Sequence, residues 1–205
     1  MVAALRARGC TAPISVDTRK AEVARAALDA GADLVNDVSA LADPALAALV
    51  AERGAPVVLM HMRGTPADMA SRAVYGDVVG EVERELAAAL ARAVALGVRE
   101  ERILLDPGLG FAKRAEHSLA LLAALPRLRA RLGRPLLVGP SRKSFIGAVA
   151  GGAGAADRLP GTLAAVAACV LAGVEYVRVH DVAAARQAAR VAAAIRDASP
   201  SAGQG

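Results

Sequence analysis

The feature of this sequence that most constrains its fold is a repeated alternation of short apolar runs with amphipathic helical stretches. Strands are predicted from the apolar runs at 14–16, 33–35, 57–60, 103–105, 136–138 and 176–179. Helices are predicted from the patterns that follow, at 20–30, 44–53, 77–96, 117–132, 161–172 and 182–198. A glycine just past a helix suits a left-handed cap, and this holds for Gly31, Gly54, Gly97, Gly133 and Gly173. Repeated β-α order indicates a parallel sheet covered by helices.

An open doubly wound sheet and a closed (β/α) barrel both fit this alternation. No G-x-G-x-x-G or G-x-x-x-x-G-K-[ST] string opens a helix, so the usual nucleotide-binding signals of the open sheet are absent. Polar residues instead end every apolar run, as in Asp17, Asn36-Asp37, His61, Asp106, Ser141-Arg142-Lys143 and Arg178-Val179-His180-Asp181. In a barrel all strand ends meet on one rim. We therefore predict an α/β fold of the (β/α)8 TIM-barrel type, incomplete here, with about six parallel βα units.

The number of βα units is short of a full barrel, which has eight strands and about 250 residues. The chain opens on a helical pattern at 2–8, so we expect two βα units to be missing from the front and two strand edges to be open. One domain is predicted over residues 1–198, followed by a disordered tail over 199–205.

The composition limits the kinds of partner and the cellular compartment that we expect for this chain. Hydrophobic residues make up 55% of the chain and aromatic residues 2%, so few rings are available for stacking on bases. The net charge of +5 comes from arginines that alternate with acids, which favours an anionic small-molecule substrate over nucleic acid. Cys10 and Cys169 suggest no disulfide framework, so a cytoplasmic location is expected. No apolar run reaches the roughly 18 residues of a membrane span.

Cationic residues cluster at the predicted rim. They are Arg63, Arg142, Lys143, Arg178 and His180. Arg178 and His180 flank Val179, so their side chains point to the same side of the strand. Together with Lys143 they could hold a phosphate or diphosphate. The alternative is that these charges only solvate the barrel mouth.

A second polar set comprises Asp17, Asn36 and Asp106, whose oxygens and amide could recognise the edges of a heterocycle. Capping is the alternative for some acids. Asp17, with Thr18, could cap the helix that follows at Lys20, and Asp37 or Asp43 could cap the helix at Pro44.

The loop at 106–113 is glycine-rich and carries Phe111, one of two phenylalanines, which could stack on a flat ligand or belong to the core. His61 invites a metal assignment. The three histidines show no pair at i, i+3 or i, i+4, which disfavours a zinc site built by the protein.

Six strings together resemble the dihydropteroate synthase family and occur in the family's order. They are S-V-D-T-R-K (15–20), L-V-N-D-V (34–38), H-M-R-G-T-P (61–66), L-L-D-P-G-L-G-F-A-K (104–113), L-L-V-G-P-S-R-K-S-F-I-G (136–147) and R-V-H-D-V (178–182). The resemblance implies condensation of a dihydropterin-methyl diphosphate with 4-aminobenzoate, by an SN1-like loss of diphosphate. It also implies site roles. The catalytic residues would be Asp17, Asp106 and Lys143. The pterin would contact Asp17, Asn36, Met60, Asp106, Gly139 and Lys143, the diphosphate Arg178 and His180, and the aminobenzoate Phe111, Ser141 and Arg142.

The resemblance further implies Mg²⁺, whose family ligand lies in a first-strand loop that this chain lacks, so no metal ligand is assigned here. It implies a homodimer built through the later helices. Two other functions remain open: a pterin-dependent methyltransferase domain that serves a corrinoid protein, and a pterin-binding paralogue or fragment without turnover.

Overall fold

The computed structural model describes residues 1–65 and 67–198, so the predicted disordered tail lies outside the described residues. The strands are β1 Ser15–Asp17, β2 Leu34–Asp37, β3 Val57–Met60, β4 Ile103–Asp106, β5 Leu137–Val138 and β6 Tyr176–Val177. The helices are α1 Val2–Ala7, α2 Ala21–Asp29, α3 Pro44–Arg53, α4 Val78–Ala95, α5 Ala115–Ala123, α6 Leu125–Leu132, α7 Ser144–Val149, α8 Leu159–Leu171 and α9 Val182–Ala198. Short 3-10 turns cover Glu100–Arg102 and Ala155–Asp157.

The strands are parallel and neighbour one another in chain order. β1 to β4 form one sheet, β5 pairs with β6, and a parallel bridge between Leu105 and Leu136 joins the two sets. Asp17 lies beside Asn36 and Met60 beside Asp106 in the register, so the strand ends lie side by side. The predicted parallel βα arrangement, with its six strands, is confirmed.

The core is aliphatic, as the composition requires. Every residue of β3 is buried, and Leu46, Leu59, Leu86 and Leu128 from strands and helices are at most 1% exposed. Burial of aliphatic surface at about 25 cal/mol per Å² is the main stabilising contribution to such a core. The sheet is thereby a rigid support for the loops at its carboxyl ends.

Two elements differ from the sequence-based expectation. The helix predicted at 117–132 is two helices, because Pro126 in the first turn of α6 has no N–H to bond the carbonyl oxygen of Leu122 and so cannot continue α5. Helix α7 was not predicted, since six residues are too few for a clear apolar period. The five glycines expected after helices all have positive φ, between 57° and 97°. Within the described ranges, no helix is long and apolar enough to cross a membrane.

Candidate active site

A cavity of about 290 Å³ opens at the carboxyl ends of the strands. Five consecutive strands each place a residue in its wall, at or just after the strand end: Asn36, Met60, Asp106, Gly139 and Arg178. Four residues of the following loops complete the predicted set in the wall: Phe111, Ser141, Lys143 and His180. The structure thus gathers nine of the eleven predicted site residues around one cavity, and Asp17 and Arg142 are the two that do not line it.

Three polar residues in the cavity wall are buried: Asn36 and Asp106 are each 7% exposed, and Ser141 is 5% exposed. Burial raises the pKa of Asp106 to about 6, although the N–H of Gly108 donates to its Oδ1 at 2.7 Å and Lys143, Lys113 and Arg178 oppose the rise. The Oδ1 of Asn36 has no hydrogen-bond partner in the described part of the chain. A buried amide oxygen without a partner is costly, and a ligand N–H in the cavity would satisfy it.

Lys143 and Phe111 are in contact in the cavity wall. The ammonium of Lys143 lies 4.0 Å from the centroid of the Phe111 ring, in a cation–π contact. Burial lowers the pKa of Lys143, and the carboxylate of Asp106 partly offsets this effect. The pair therefore presents a flat apolar face and a positive charge next to an acid.

Asp17 lies at the mouth of the cavity beside Arg178. The guanidinium of Arg178 donates to Oδ2 of Asp17 at 2.8 Å, and both side chains are largely exposed. Asp17 does not cap helix α2. That helix follows Lys20, whose side chain makes no capping bond, and Thr18 accepts the N–H of Lys20 at 3.1 Å.

Ser141 and His180 are hydrogen-bonded to each other in the wall of the cavity. The Ser141 Oγ lies 2.8 Å from Nδ1 of His180 and accepts its backbone N–H at 3.2 Å. Arg142, between Ser141 and Lys143, adopts a left-handed backbone with φ 57°. Its guanidinium donates two hydrogen bonds to Asp181, at 3.0 and 2.9 Å, so it faces Asp181 and not the cavity.

Arg63, like Arg142, is a predicted rim cation that does not line the cavity. It pairs with Glu81 at 2.7 Å and with Glu85, and its guanidinium lies 4.1 Å from the centroid of the Tyr75 ring. Hydrogen bonds to the two carboxylates raise the pKa of Arg63. Its charge is therefore compensated within the protein.

Two further acids, Asp43 and Asp37, accept hydrogen bonds from backbone N–H groups a few residues further along the chain. Asp43 accepts the N–H of Ala45 at 2.9 Å and caps α3, as one alternative predicted. Asp37 accepts N–H groups from Ser39 at 2.8 Å and Leu41 at 2.7 Å, and so does not cap that helix. Asp37 orders the turn after β2, next to Asn36.

Lys113 is a buried residue beside the site that the sequence patterns did not predict. Lys113 is 7% exposed. Its Nζ lies 2.9 Å from Nδ1 of His61 and donates to the carbonyl oxygen of Phe111 at 2.9 Å. Burial lowers its pKa to about 7. The available signal was a lysine that closes a glycine-rich loop in a chain with only three lysines.

The donor set of the described residues does not suit the Mg²⁺ that the resemblance implies. Over residues 1–65 and 67–198, no three His, Cys, Asp or Glu side chains come together as a metal-binding group. These residues do not fit a magnesium site built by protein ligands, so no chemical step below is derived through a metal.

The fold and the cavity define a parallel α/β protein of the TIM-barrel type with a polar small-molecule site at the strand ends. The sequence profile of the family described as "Pterin binding enzyme" matches residues 1–180. This chain belongs to that family.

Curated relatives and solved structures agree with this family membership. Dihydropteroate synthase of Synechocystis sp. is 50% identical over 184 residues, which are 89% of this chain and 63% of that relative. The enzyme of Mycobacterium leprae is 48% identical over 207 residues, or 98% and 72%. The chain thus spans about two thirds of the length of these curated relatives.

Dihydropteroate synthase from Thermus thermophilus in complex with 6HMPPP has a TM-score of 0.88 at 47% identity, covering 95% of this chain and 76% of that one. The Yersinia pestis enzyme with a sulfonamide drug complex gives 0.91 at 38% identity, covering 96% and 70%. The barrel-type fold class is confirmed by these likenesses.

Proposed function

We propose that this chain is the pterin- and aminobenzoate-binding part of a dihydropteroate synthase, a transferase of folate synthesis. The reaction joins a (7,8-dihydropterin-6-yl)methyl diphosphate to 4-aminobenzoate and releases diphosphate. One observation carries the proposal: acids and an amide for a heterocycle and cations for an anion share a single cavity of about 290 Å³. The likeness to the Thermus enzyme in complex with 6HMPPP supports the same substrate class.

The pterin is assigned to the inner part of the cavity. The buried carboxylate of Asp106 and the unpartnered Oδ1 of Asn36 would accept ring N–H groups, and Lys143 would donate to a ring acceptor. Met60 and Gly139, which also line the cavity, would contact the faces of the ring. Asp17, at the mouth, would accept a further N–H once Arg178 turns to the diphosphate.

Arg178 and His180 are assigned to the diphosphate. In the bond-breaking step the methylene C–O bond cleaves, and diphosphate leaves with the electron pair. Positive charge develops on the pterin-methyl group, where the carboxylate of Asp106 stabilises it, while Arg178 and His180 stabilise the leaving anion. The amine nitrogen of 4-aminobenzoate then bonds to the methylene carbon and releases a proton to solvent.

The aminobenzoate is assigned to the side of the cavity formed by Phe111 and Ser141. The Phe111 ring offers a stacking face beneath Lys143, and the Ser141 hydroxyl lies beside His180. For Arg142, whose guanidinium is held by Asp181, we propose an indirect part: it fixes the turn that carries Ser141 and Lys143.

A methyltransferase domain is the second candidate, and it has no use for a diphosphate clamp. The cations Lys143, Arg178 and His180 in the wall of one cavity favour the diphosphate substrate. A pterin-binding fragment without turnover is distinguished by experiment.

The test incubates the purified chain with the pterin diphosphate, radiolabelled 4-aminobenzoate and Mg²⁺, and separates labelled dihydropteroate. Calorimetry measures binding of each substrate, with and without EDTA to test the expected Mg²⁺. Labelled product supports the proposal. Pterin binding without product selects the inactive fragment, and no pterin binding overturns the proposal. Lys20→Ala, at an exposed lysine away from the cavity, is the matched control for Lys143→Ala.

We also propose a homodimer formed through α8 and α9. Leu163, Ala167 and Leu171 of α8 and Ala188 and Val191 of α9 line an apolar groove of about 370 Å³ on the outer surface. Leu171 is 48% exposed and Val191 is 56% exposed. A continuous patch of exposed aliphatic side chains is unusual on a monomeric protein. A second copy would bury it. A cytoplasmic location remains part of the proposal, consistent with the free thiols of Cys10 and Cys169.

A further inference from the structure

Lys113 is a buried cation that none of the substrate assignments uses. Its Nζ lies 2.9 Å from Nδ1 of His61 and 3.4 Å from the carbonyl oxygen of His61, and it donates to the carbonyl oxygen of Phe111 at 2.9 Å. His61 directly follows β3, whereas Phe111 belongs to the loop after β4. One ammonium group therefore ties two adjacent strand ends together.

The other ring nitrogen of His61 connects this histidine to helix α4. Nε2 lies 2.9 Å from Oε2 of Glu85 on α4. Burial, the charge of Lys113 and that of Arg63 lower the pKa of His61 to about 4, although Glu85 opposes them. A neutral His61 donates from Nε2–H to Glu85 and accepts the Lys113 N–H at Nδ1. Glu85, His61 and Lys113 thus form a chain from α4 to the loop.

The loop is held closely enough for this contact to control its shape. A Cβ on Gly108, which has φ 68°, would lie 2.0 Å from the carbonyl oxygen of His61, so the loop backbone packs directly on the end of β3. Lys113 anchors the far end of the same loop at Phe111. The Phe111 ring is in turn the surface on which Lys143 rests.

Lys113 also lies beside the strand end that carries Asp106. The His61 N–H donates to the carbonyl oxygen of Asp106 at 2.8 Å, and the Lys113 Nζ lies 3.4 Å from the carbonyl oxygen of the same His61. The groups facing Asp106 are Lys143, Lys113 and Arg178, together with the N–H of Gly108. The groups facing Lys113 are Asp106, Glu85, Arg63 and Lys143, besides His61. Lys113 is thus a buried positive charge near Asp106 that does not itself line the cavity wall.

We propose that Lys113 is a positioning residue of this site: through the Phe111 carbonyl it sets the stacking ring beneath Lys143, and through its charge it stabilises ionised Asp106. The proposal deepens the proposed function and rests on it for its catalytic meaning. Both effects can be measured in the protein without ligand, so a failure of the proposed function is seen separately, in the turnover and binding assays.

The first measurement uses the two phenylalanines, Phe111 and Phe145. Protein labelled with fluorophenylalanine gives two ¹⁹F resonances, which Phe111→Leu assigns. Lys113→Met should move or broaden the Phe111 signal and leave that of Phe145, a 3%-exposed core residue, in place. Lys20→Met is the matched control at an exposed lysine and should change neither signal. An unchanged Phe111 signal in Lys113→Met overturns the positioning role.

The second measurement follows the side-chain carboxyl carbon of Asp106 by ¹³C NMR across pH, assigned with Asp106→Asn. Removing an opposite charge should raise the Asp106 titration midpoint by roughly one pH unit or more in Lys113→Met. Lys113→Gln keeps a hydrogen-bond donor but has no charge. It should show the same rise of the Asp106 midpoint, with a smaller change in the Phe111 signal. It also replaces Lys113→Met in both measurements if that variant does not fold. A wild-type Asp106 titration in Lys113→Gln overturns the charge contribution.

Discussion

Arg178 donates a hydrogen bond to Asp17 at 2.8 Å, and this contact joins the end of β6 to the end of β1. The two strands are the first and last of the described sheet, and each pairs with a single neighbouring strand. The residues are 161 positions apart. The rim therefore brings its first and last strand ends within reach of each other, with the cavity between the strand ends.

Arg178→Ala should separate ligand binding from stability. Affinity for inorganic diphosphate should weaken by about 2 kcal/mol, as expected when one partner of a charged ligand contact is truncated. The free energy of unfolding should change by less than about 1 kcal/mol, since an exposed ion pair contributes little. Calorimetry and urea unfolding measure the two quantities. Arg196→Ala, at an exposed pair with Asp197, is the control, and wild-type diphosphate affinity in Arg178→Ala would remove its assignment.

Lys143→Ala should weaken binding of the pterin diphosphate by about 2 kcal/mol or more, because a partly buried charged donor next to Asp106 is lost. The same variant should lose the cation–π contact with Phe111, seen as a change in the ring's NMR signal. Calorimetry at fixed pH measures the affinity. Lys20→Ala should bind like wild type, and equal affinities of all three proteins would contradict the role of Lys143.

Asp106 should make the protein less stable as the pH rises from about 4 to about 6. Its pKa is about 6 in the folded state and 3.8 ordinarily, so its stabilising effect is present below 3.8 and lost as the pH rises through 6. The difference corresponds to about 3 kcal/mol. Urea unfolding of wild type and Asp106→Asn at each pH isolates this carboxyl. A wild-type-minus-variant difference that stays flat from pH 4 to 7 would contradict it.

The comparison with the variant is needed because His61 acts in the opposite direction. Burial lowers its pKa from 6.5 to about 4, so its stabilising effect is present above 6.5 and is lost as the pH falls toward 4. Wild-type data alone would show the two effects partly cancelled.

Gly108→Ala should lower the free energy of unfolding by more than about 2 kcal/mol. The alanine would have to adopt a left-handed backbone conformation, and its Cβ would also clash with a backbone atom. The new Cβ would lie 2.0 Å from the His61 carbonyl oxygen, so the loop must move. Gly133→Ala is the matched control: its φ is 61° with nothing within 4 Å of the new Cβ, so about 1 kcal/mol is expected. Equal losses in urea unfolding would show that the loop tolerates displacement.

Val191→Arg should convert a dimer to a monomer, since it places a charge in the apolar groove between α8 and α9. Sedimentation velocity of both proteins at the same concentration measures the change. Val23→Arg, at an exposed valine on α2, is the control and should keep the wild-type association state. A wild-type protein that sediments as a monomer would overturn the proposed dimer directly.

Local sequence signals predicted most of the secondary structure and failed where a local rule gave way to packing. Apolar runs located all six strands of the described residues, and post-helical glycines located five helix ends. Pro126 divides a stretch whose apolar period looks continuous, and α7 is too short to show a period. For the site, strand-end polarity found six cavity residues, because parallel strands bring their carboxyl ends to one edge. The glycine-rich loop indicated Phe111, and the family resemblance supplied Met60 and Gly139.

The sequence by itself determined the order of strands and helices and the residue types available at the rim, since both follow from local periodicity and strand polarity. Only the tertiary structure decided which of those charges remain available to a ligand. Arg63 pairs with Glu81 and Glu85, Arg142 pairs with Asp181, and Lys113 is buried outside the cavity wall. Ion pairing and burial depend on distances between residues remote in the chain, which no local pattern encodes.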